Sequence, residues 1–252
     1  MGFEHATGAS QGARSYQEDA AAVRQHGEGL IAVLADGMGG HAGGAVASAV
    51  ATQSFLEGYL TAEGQSKARL AEGLSCANVG ILDEVAARPS LRGMGCTLVG
   101  IAFAANAAAN GAAWGIDWIS VGDSPLYLVR KGQIARLNAD HSLAPEIDRL
   151  AELGRISWED AQADPNRHVL RSALTGTAIE MIDRPRAPLS LEPDDMVVLA
   201  SDGIHTLHEA DIARLVAAAA NPGAAAEALL AAVAAVDDPH QDNTTVVVVR
   251  MT

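Results

Sequence analysis

Cysteine is scarce in this sequence of 252 residues, which contains only Cys76 and Cys96. Two cysteines cannot build a disulfide framework, and neither belongs to a set with zinc-ligand spacing. No basic region followed by an apolar stretch opens the sequence, so we expect no signal peptide. Together these absences favour a reduced, cytoplasmic location.

Long uninterrupted hydrophobic runs are also missing. The most apolar long segment, residues 215–236, is broken by Asn221, Pro222 and Gly223 and carries Glu227. Such interruptions argue against a membrane-spanning helix and favour two separate helices. No long apolar surface stripe is evident, so the sequence leaves the oligomeric state open; our expectation is a monomer.

Basic residues are outnumbered, with 17 Lys and Arg against 31 Asp and Glu and a net charge of −14. This balance argues against nucleic acid or an anionic membrane as the main partner. Aromatic residues make up only 4% of the sequence, whereas hydrophobic residues make up 49%. The core must therefore be built mainly from Ala, Val, Leu and Ile.

Short apolar runs rich in β-branched residues predict strands, and longer runs with helical spacing predict helices. The predicted strands are residues 20–25, 30–35, 97–103, 112–121, 126–130, 134–137, 196–200 and 244–249, with a further candidate at 181–183. The predicted helices are residues 45–60, 66–87, 145–153, 208–219 and 224–236.

The order of these elements lacks regular alternation of strand and helix. It favours an α+β fold of packed antiparallel sheets with outer helices over a doubly wound parallel sheet. No internal repeat or long linker is visible, so we predict one domain over residues 1–252. Residues 140–170 are more polar than their surroundings and are predicted to form a flap-like insertion.

Three acidic residues lie at the borders of predicted strands: Asp36 and Asp202 follow two of them, and Asp242 precedes a third. A carboxylate at the mouth of a buried strand is costly unless a cation neutralises it. Three such carboxylates, far apart in the sequence, suggest one shared cation site. Oxygen ligands favour Mg²⁺ or Mn²⁺ over zinc or copper, and two divalent ions would balance the charge.

A glycine-rich loop follows Asp36, with the sequence DGMGGHAG over residues 36–43. It superficially matches a dinucleotide-binding fingerprint. Asp36 would repel a pyrophosphate, however, and Glu57 falls inside a predicted helix rather than after a second strand. A metal site, with carboxylate and backbone carbonyl ligands, and an ordinary glycine turn both remain open. His41 is either a proton donor or a surface residue.

Two further segments carry candidate site residues. Arg14 offers a planar fork for phosphate oxygens, and Glu18 and Asp19 are placed to hold water on a metal ion; a solvated segment with a local ion pair is the alternative. Asp123 is either another acidic ligand or a turn former. Its neighbour Ser124 lacks the flanking glycine of a serine-hydrolase elbow and is a poor nucleophile candidate.

Six segments taken together resemble the metal-dependent serine/threonine protein phosphatases of type 2C. They are residues 14–19, 36–44, 95–97, 122–124, 201–203 and 242–243. Met38 makes the glycine loop similar to that of bacterial members. The resemblance implies two antiparallel sheets sandwiched between pairs of helices, with two manganese or magnesium ions in a cleft at one edge.

The resemblance also implies roles for individual residues. Asp36 would bridge both ions, Gly37 would contribute its carbonyl to one, and Asp202 and Asp242 would hold the other. A third, weaker ion would be held by Asp123 with Asp202.

The remaining matched residues would act around the ions. Glu18 and Asp19 would complete the shell, and Arg14 would grip the phosphate. Thr97 and Asn243 would support the site. One departure is visible: Pro125 stands directly after the Gly-Asp-Ser motif, where the family often has arginine.

The implied activity is hydrolysis of phosphoserine and phosphothreonine in proteins by a water that bridges two Mn or Mg ions. Such an enzyme would oppose a bacterial serine/threonine kinase. Two alternatives remain: a phosphoprotein-binding or sensor domain with little turnover, and a phosphatase of small metabolites.

Overall fold

The structure is a computed structural model that describes residues 2–39, 42–106 and 113–252. The strands are β1 Phe3–Ser10, β2 Ala20–His26, β3 Gly29–Ala35, β4 Gly37–Met38, β5 Gly95–Cys96, β6 Leu98–Asn106, β7 Ala113–Val121, β8 Leu126–Arg130, β9 Gln133–Arg136, β10 Leu189–Ser190, β11 Met196–Ala200 and β12 Thr244–Met251. The helices are α1 Ala42–Thr61, α2 Ser66–Ala87, α3 Ala144–Glu152, α4 Trp158–Ala163, α5 Glu209–Ala218 and α6 Pro222–Ala235.

Two five-stranded antiparallel sheets dominate the fold. The first has the order β1-β12-β11-β8-β9, and the second has the order β10-β7-β6-β3-β2. In the first sheet, β12 lies between β1 and β11 although it is the last strand in chain order. The short strands β4 and β5 form a separate pair beside the glycine-rich loop.

Both faces of strand β11 are buried, which explains why its apolar run is continuous. Val197 and Leu199 point into the core between the two sheets. Met196, Val198 and Ala200 point to the other side, into a core shared with α5 and α6. Because successive side chains of a strand face opposite ways, a strand buried on both faces needs apolar residues at every position.

The helices form the two outer layers. Residues of α1 and α2, among them Phe55 and Ile81, pack on the second sheet. Residues of α5 and α6, among them Ile212 and Leu229, pack on the first. The predicted sandwich of two antiparallel sheets between helix pairs is therefore confirmed.

Several local predictions were wrong. Strand β1 was not predicted, and it pairs with β12 over its full length. Residues 181–183 form no strand; Asp183 makes a single bridge to Ser120. Helix α4 was also missed, although Ser157 and Asp160 form a capping box at its start. Residue 112, predicted to begin a strand, lies outside the described residues.

Residues 140–170 contain α3 and α4. Ile147, Ala151 and Ala161 form a small apolar cluster separate from the cores of the sandwich. Arg167 pairs with Asp148 across this segment, with Nη1 2.6 Å from Oδ1 and Nη2 2.9 Å from Oδ2. We call residues 140–170 the flap below.

Across the described residues, we find no helix that combines the length and the apolar character needed to cross a bilayer.

Candidate functional site

A cleft of about 460 Å³ opens where strand ends of both sheets meet. Asp36 follows β3 of the second sheet, while Asp202 follows β11 and Asp242 precedes β12 of the first. The cleft is lined by Arg14, Glu18, Asp36, Gly37, Met38, Gly39, Thr97, Asp123, His168, Leu170, Asp202, Asp242 and Asn243. The structure thus brings together acidic residues, such as Asp36 and Asp242, that lie more than two hundred positions apart in the sequence.

Thr97 fixes the end of β3. Its hydroxyl accepts a hydrogen bond from the Asp36 backbone N–H at 3.0 Å, and its own N–H donates to the Asp36 carbonyl at 2.9 Å. The Thr97 and Ser124 hydroxyls lie 2.7 Å apart. Thr97 therefore joins β3 to the loop that carries Asp123.

Gly37 is needed because the chain passes very close to it. A Cβ atom there would lie 2.2 Å from the Gly44 carbonyl oxygen and 2.4 Å from that of Glu18. No side chain fits in this space. The start of α1 and the segment before β2 can therefore close directly around residue 37.

Asn243 ties the N-terminal segment to the start of β12. Its Oδ1 accepts from the Glu18 N–H at 2.7 Å, and its Nδ2 donates to the carbonyls of Gln11 at 2.8 Å and Tyr16 at 3.0 Å. These bonds span the part of the chain that carries Arg14. One buried amide thus places both the phosphate-binding candidate and Glu18 beside the cleft.

Asp19 is held by Ser201. The Ser201 hydroxyl donates to Asp19 Oδ2 at 2.7 Å and accepts from the Thr245 N–H at 2.8 Å. Since Ser201 is fully buried at the end of β11, Asp19 and Asp202 are positioned by the same short stretch of chain.

Arg14 and Asp242 form an ion pair with 2.5 Å between Nη2 and Oδ2. The second carboxylate oxygen of Asp242 accepts from the Asn243 N–H at 2.7 Å. Both side chains remain partly accessible, at 52% and 37% exposure. Asp242 is thus the one member of the acidic group with a cationic side chain bonded directly to it among the described residues.

The acidic side chains raise each other's pKa. Burial, followed by Asp202, Asp19, Asp123 and Asp242, raises the pKa of Asp36 well above its usual value. Burial also raises the pKa of Asp202 to about 7, with further contributions from Asp123, Asp242 and Asp19. The pKa of Asp123 rises to about 6, mainly through burial and then through Asp140. Carboxylates that oppose each other's ionisation in this way lie close together.

The donor set suits a hard divalent cation. Glu18 Oε1 and Asp19 Oδ1 are buried and have no hydrogen-bond partner among the described residues. Unpartnered buried carboxylate oxygens need a cation or a proton. In the same part of the chain, no three Asp, Glu, His or Cys side chains already form a metal cage. Asp19 keeps Oδ1 free for a cation while Oδ2 accepts from Ser201. Both carboxylate oxygens of Asp242 are engaged, by Arg14 and by the Asn243 N–H, so this side chain would have to exchange a partner to bind an ion.

Sequence reasoning missed the contribution of the flap. His168 and Leu170 line the cleft, and His168 partly offsets the raised pKa of Asp202. No local motif marks either residue, since both owe their place to how the flap folds back. His41, predicted as a candidate proton donor, lies outside the described residues.

Comparison with known proteins gives a consistent result. The family model described as Protein phosphatase 2C matches residues 9–236. The serine/threonine protein phosphatase PstP of Mycobacterium tuberculosis is 34% identical over 176 residues, which cover 69% of this chain and 31% of that protein. The serine/threonine phosphatase stp of Listeria monocytogenes is 31% identical over 198 residues, which cover 76% of this chain and 73% of that protein.

Solved structures agree with the fold. A crystal structure of PstP from M. tuberculosis superposes with a TM-score of 0.81 and 28% identity, covering 100% of this chain and 99% of that one. The PstP catalytic domain in complex with two manganese ions gives a TM-score of 0.77 at 28% identity, covering 98% and 97%. The chain spans about a third of the length of the M. tuberculosis relative.

Proposed function

Because this chain belongs to the protein phosphatase 2C family, we propose that it hydrolyses phosphoserine and phosphothreonine in proteins with the help of Mn²⁺ or Mg²⁺. The observation that carries this proposal is the convergence of Asp36, Asp123, Asp202 and Asp242 beside one arginine in a single cleft. Asp19, which does not line the cleft, lies close enough to raise the pKa of Asp36. The two manganese ions in the similar PstP structure support the same assignment.

The proposed ligands are those that the family resemblance implies. Asp36, the Gly37 carbonyl, Asp202 and Asp242 would hold two ions, while Glu18 and Asp19 would complete the oxygen shell. Asp123, with Asp202, is the proposed holder of a weaker third ion. When bound, such ions lower the pKa of water and neutralise charge on phosphate oxygens.

Arg14 binds the phosphate in this proposal. Its side chain is 52% exposed at the rim of the cleft, so a substrate can reach it. A guanidinium presents several N–H groups in one plane, which matches the oxygens of a phosphoryl group. Without cations the acidic wall would repel a phosphate dianion, so Arg14 acts together with the bound ions.

The reaction is a direct hydrolysis. Water oxygen bonds to phosphorus, the bond to the seryl or threonyl oxygen breaks, and that leaving oxygen takes up a proton. His41 stays a candidate donor of this proton. Ser124 and Ser201 are not nucleophiles in this proposal, because their hydroxyls are fully buried and hydrogen-bonded inside the protein.

The proposed partners are phosphorylated proteins, the products of a serine/threonine kinase. Names of the relatives from Mycobacterium and Listeria support this class of substrate. We further propose that the protein acts as a monomer.

A phosphopeptide panel tests the proposal. Phosphate release should require Mn²⁺ or Mg²⁺, stop on chelation and fall by at least about 10³-fold in Asp36→Asn. Asp117→Asn is the matched control, since Asp117 is also buried but does not line the cleft.

Three outcomes would contradict it. Turnover that resists chelators would refute the metal requirement. Tight Mn²⁺ binding in calorimetry without turnover would instead favour a sensor, and a preference for sugar phosphates over phosphopeptides would favour a metabolite phosphatase.

A further inference from the structure

The loop that carries Asp123 lacks the support expected from its motif. Residues 122–124 are followed by Pro125, which has neither a charged side chain nor a backbone N–H. Yet this loop is well held, because its peptide groups are bound by side chains from the end of β9 and from the residues that follow it.

Two side chains provide these bonds. Arg136 Nη2 donates to the Asp123 carbonyl at 2.6 Å. Asn138 donates from Nδ2 to the Ser124 carbonyl at 3.0 Å and accepts at Oδ1 from the Leu126 N–H at 2.8 Å. The polar groups on both sides of Pro125 are therefore satisfied by residues 136 and 138.

Arg136 makes a second contact that Asn138 does not. Its Nη1 lies 3.1 Å from Asp140 Oδ2, and both side chains are mostly buried, at 22% and 18% exposure. Asp140 Oδ1 in turn accepts from the Ser142 N–H at 2.8 Å. The guanidinium thus joins the Asp123 loop to the first residues of the flap.

The charge of Arg136 matters at this position. Asp140 is mostly buried and is paired with the Arg136 guanidinium. Removal of that guanidinium would leave a buried carboxylate without its cation beside the Asp123 loop, which would destabilise this part of the structure.

The pairing of β8 with β9 explains why residue 136 can do this. Arg136 lies opposite Tyr127, two residues beyond Pro125. A long side chain at this register can reach back over the proline to the carbonyl of Asp123.

We propose that Arg136 is a positioning residue for Asp123, supplying from β9 the guanidinium that residue 125 lacks. This inference rests on the proposed function in one respect, namely that the Asp123 carboxylate faces a bound cation. Substitution of groups that orient a metal ligand typically weakens metal binding by about 10- to 100-fold.

The test is a double-mutant cycle read by Mn²⁺ calorimetry on the full chain. Arg136→Gln should weaken the lowest-affinity Mn²⁺ binding step by about 10-fold or more, as Asp123→Asn should. In the Asp123→Asn background, Arg136→Gln should change Mn²⁺ binding no further, because its effect passes through Asp123. Arg136→Lys keeps the charge and should weaken the same step by a smaller factor, which preserves the test if the Gln variant fails to fold.

Arg130→Gln is the matched control. Arg130 is also a partly buried arginine paired with an aspartate, Asp195 at 2.6 Å, but it lies at the other end of β8. It should lower the unfolding temperature and leave Mn²⁺ binding unchanged.

Three results would overturn the proposal. The first is Mn²⁺ binding that Arg136→Gln leaves unaltered, and the second is Mn²⁺ binding that Asp123→Asn leaves unaltered. The third is an equal loss of Mn²⁺ affinity when Arg136→Gln is made in the wild type and in Asp123→Asn. A wild-type protein that binds Mn²⁺ as described but releases no phosphate from phosphopeptides would refute the proposed function alone.

Discussion

Arg14 Nη2 lies 2.5 Å from Asp242 Oδ2, across 228 positions of sequence. The same carboxylate is a proposed ligand for a cation, and the same guanidinium is the proposed partner of the phosphate. The two roles are therefore coupled. In the ion pair, Arg14 occupies the carboxylate that would bind a cation, and Asp242 occupies the guanidinium that would bind the phosphate.

Arg14→Gln should separate these roles. We expect kcat/KM for a phosphopeptide to fall by about 10²–10³-fold, because charge on the phosphate loses a preorganised donor. We expect Mn²⁺ to bind severalfold more tightly, since Asp242 loses its competing cation. Steady-state kinetics and calorimetry measure the two effects. Arg24→Gln removes the same charge from an exposed site on β2 and should alter neither; weaker Mn²⁺ binding in Arg14→Gln would contradict the coupling.

Asp36→Asn should stabilise the protein in chelator while removing activity. Burial and four neighbouring aspartates oppose the ionisation of Asp36, so a neutral isostere relieves repulsion. The unfolding temperature in EDTA should rise by a few degrees. The further rise on adding Mn²⁺, which reflects binding to the folded state, should shrink. Scanning calorimetry checks both, and a variant less stable than wild type in EDTA would argue against a shared acidic site.

The metal-free protein should lose stability as the pH rises from about 4 to about 6. The Asp123 carboxyl has a pKa of about 6 in the folded protein against an ordinary value of 3.8. In this window the folded state therefore holds more protons than the unfolded state, and the free energy of unfolding falls with pH. For this group alone the loss is on the order of 2–3 kcal/mol.

Urea denaturation in EDTA across this pH range measures the effect. Asp123→Asn should be more stable than wild type at pH 7 and nearly equal to it near pH 4. An unfolding free energy of wild type that increases between these pH values would show that the carboxylates are stabilised as ions, contrary to the burial described.

Asn243→Ala should lower the free energy of unfolding by more than the replacement of an ordinary asparagine does. Three hydrogen bonds to residues 11, 16 and 18 disappear and leave buried peptide groups unpaired, so we expect about 2–4 kcal/mol of destabilisation. Mn²⁺ binding should weaken as well, because Glu18 loses its anchor. Asn221→Ala is the control: it removes the cap of α6, in which Asn221 Oδ1 accepts from the Ala224 N–H at 2.9 Å, and should cost about 1 kcal/mol without altering Mn²⁺ binding.

The sequence predicts an element best where its apolar residues form a continuous run or recur at helical spacing. Residues 126–130, 196–200 and 66–87 were predicted with the bounds that the structure has, because continuous apolar runs or helical spacing leave few alternatives. Strand β1 was missed because FEHATGAS mixes polar and small residues. Its conformation comes from pairing with β12, which no local pattern records.

The residues that line the cleft also differ in how far the sequence indicates them. Asp36, Asp202 and Asp242 were candidates because a carboxylate beside a buried strand is conspicuous, and Thr97 was a candidate because it matched a motif. His168 and Arg136 were not found, since one depends on how the flap folds and the other on the register of β8 with β9. Contacts set by tertiary packing have no signature within a few residues of the chain.

The place of β12 between β1 and β11 has a consequence for synthesis. A nascent chain on the ribosome has made β1 and β11 before the strand that joins them exists, and Asp242 and Asn243 emerge just ahead of it. Translation must therefore pass residue 251 before the cleft can assemble. Partial products released before that point should lack the cleft, and they should depend on chaperones to keep the open edges of β1 and β11 from aggregating.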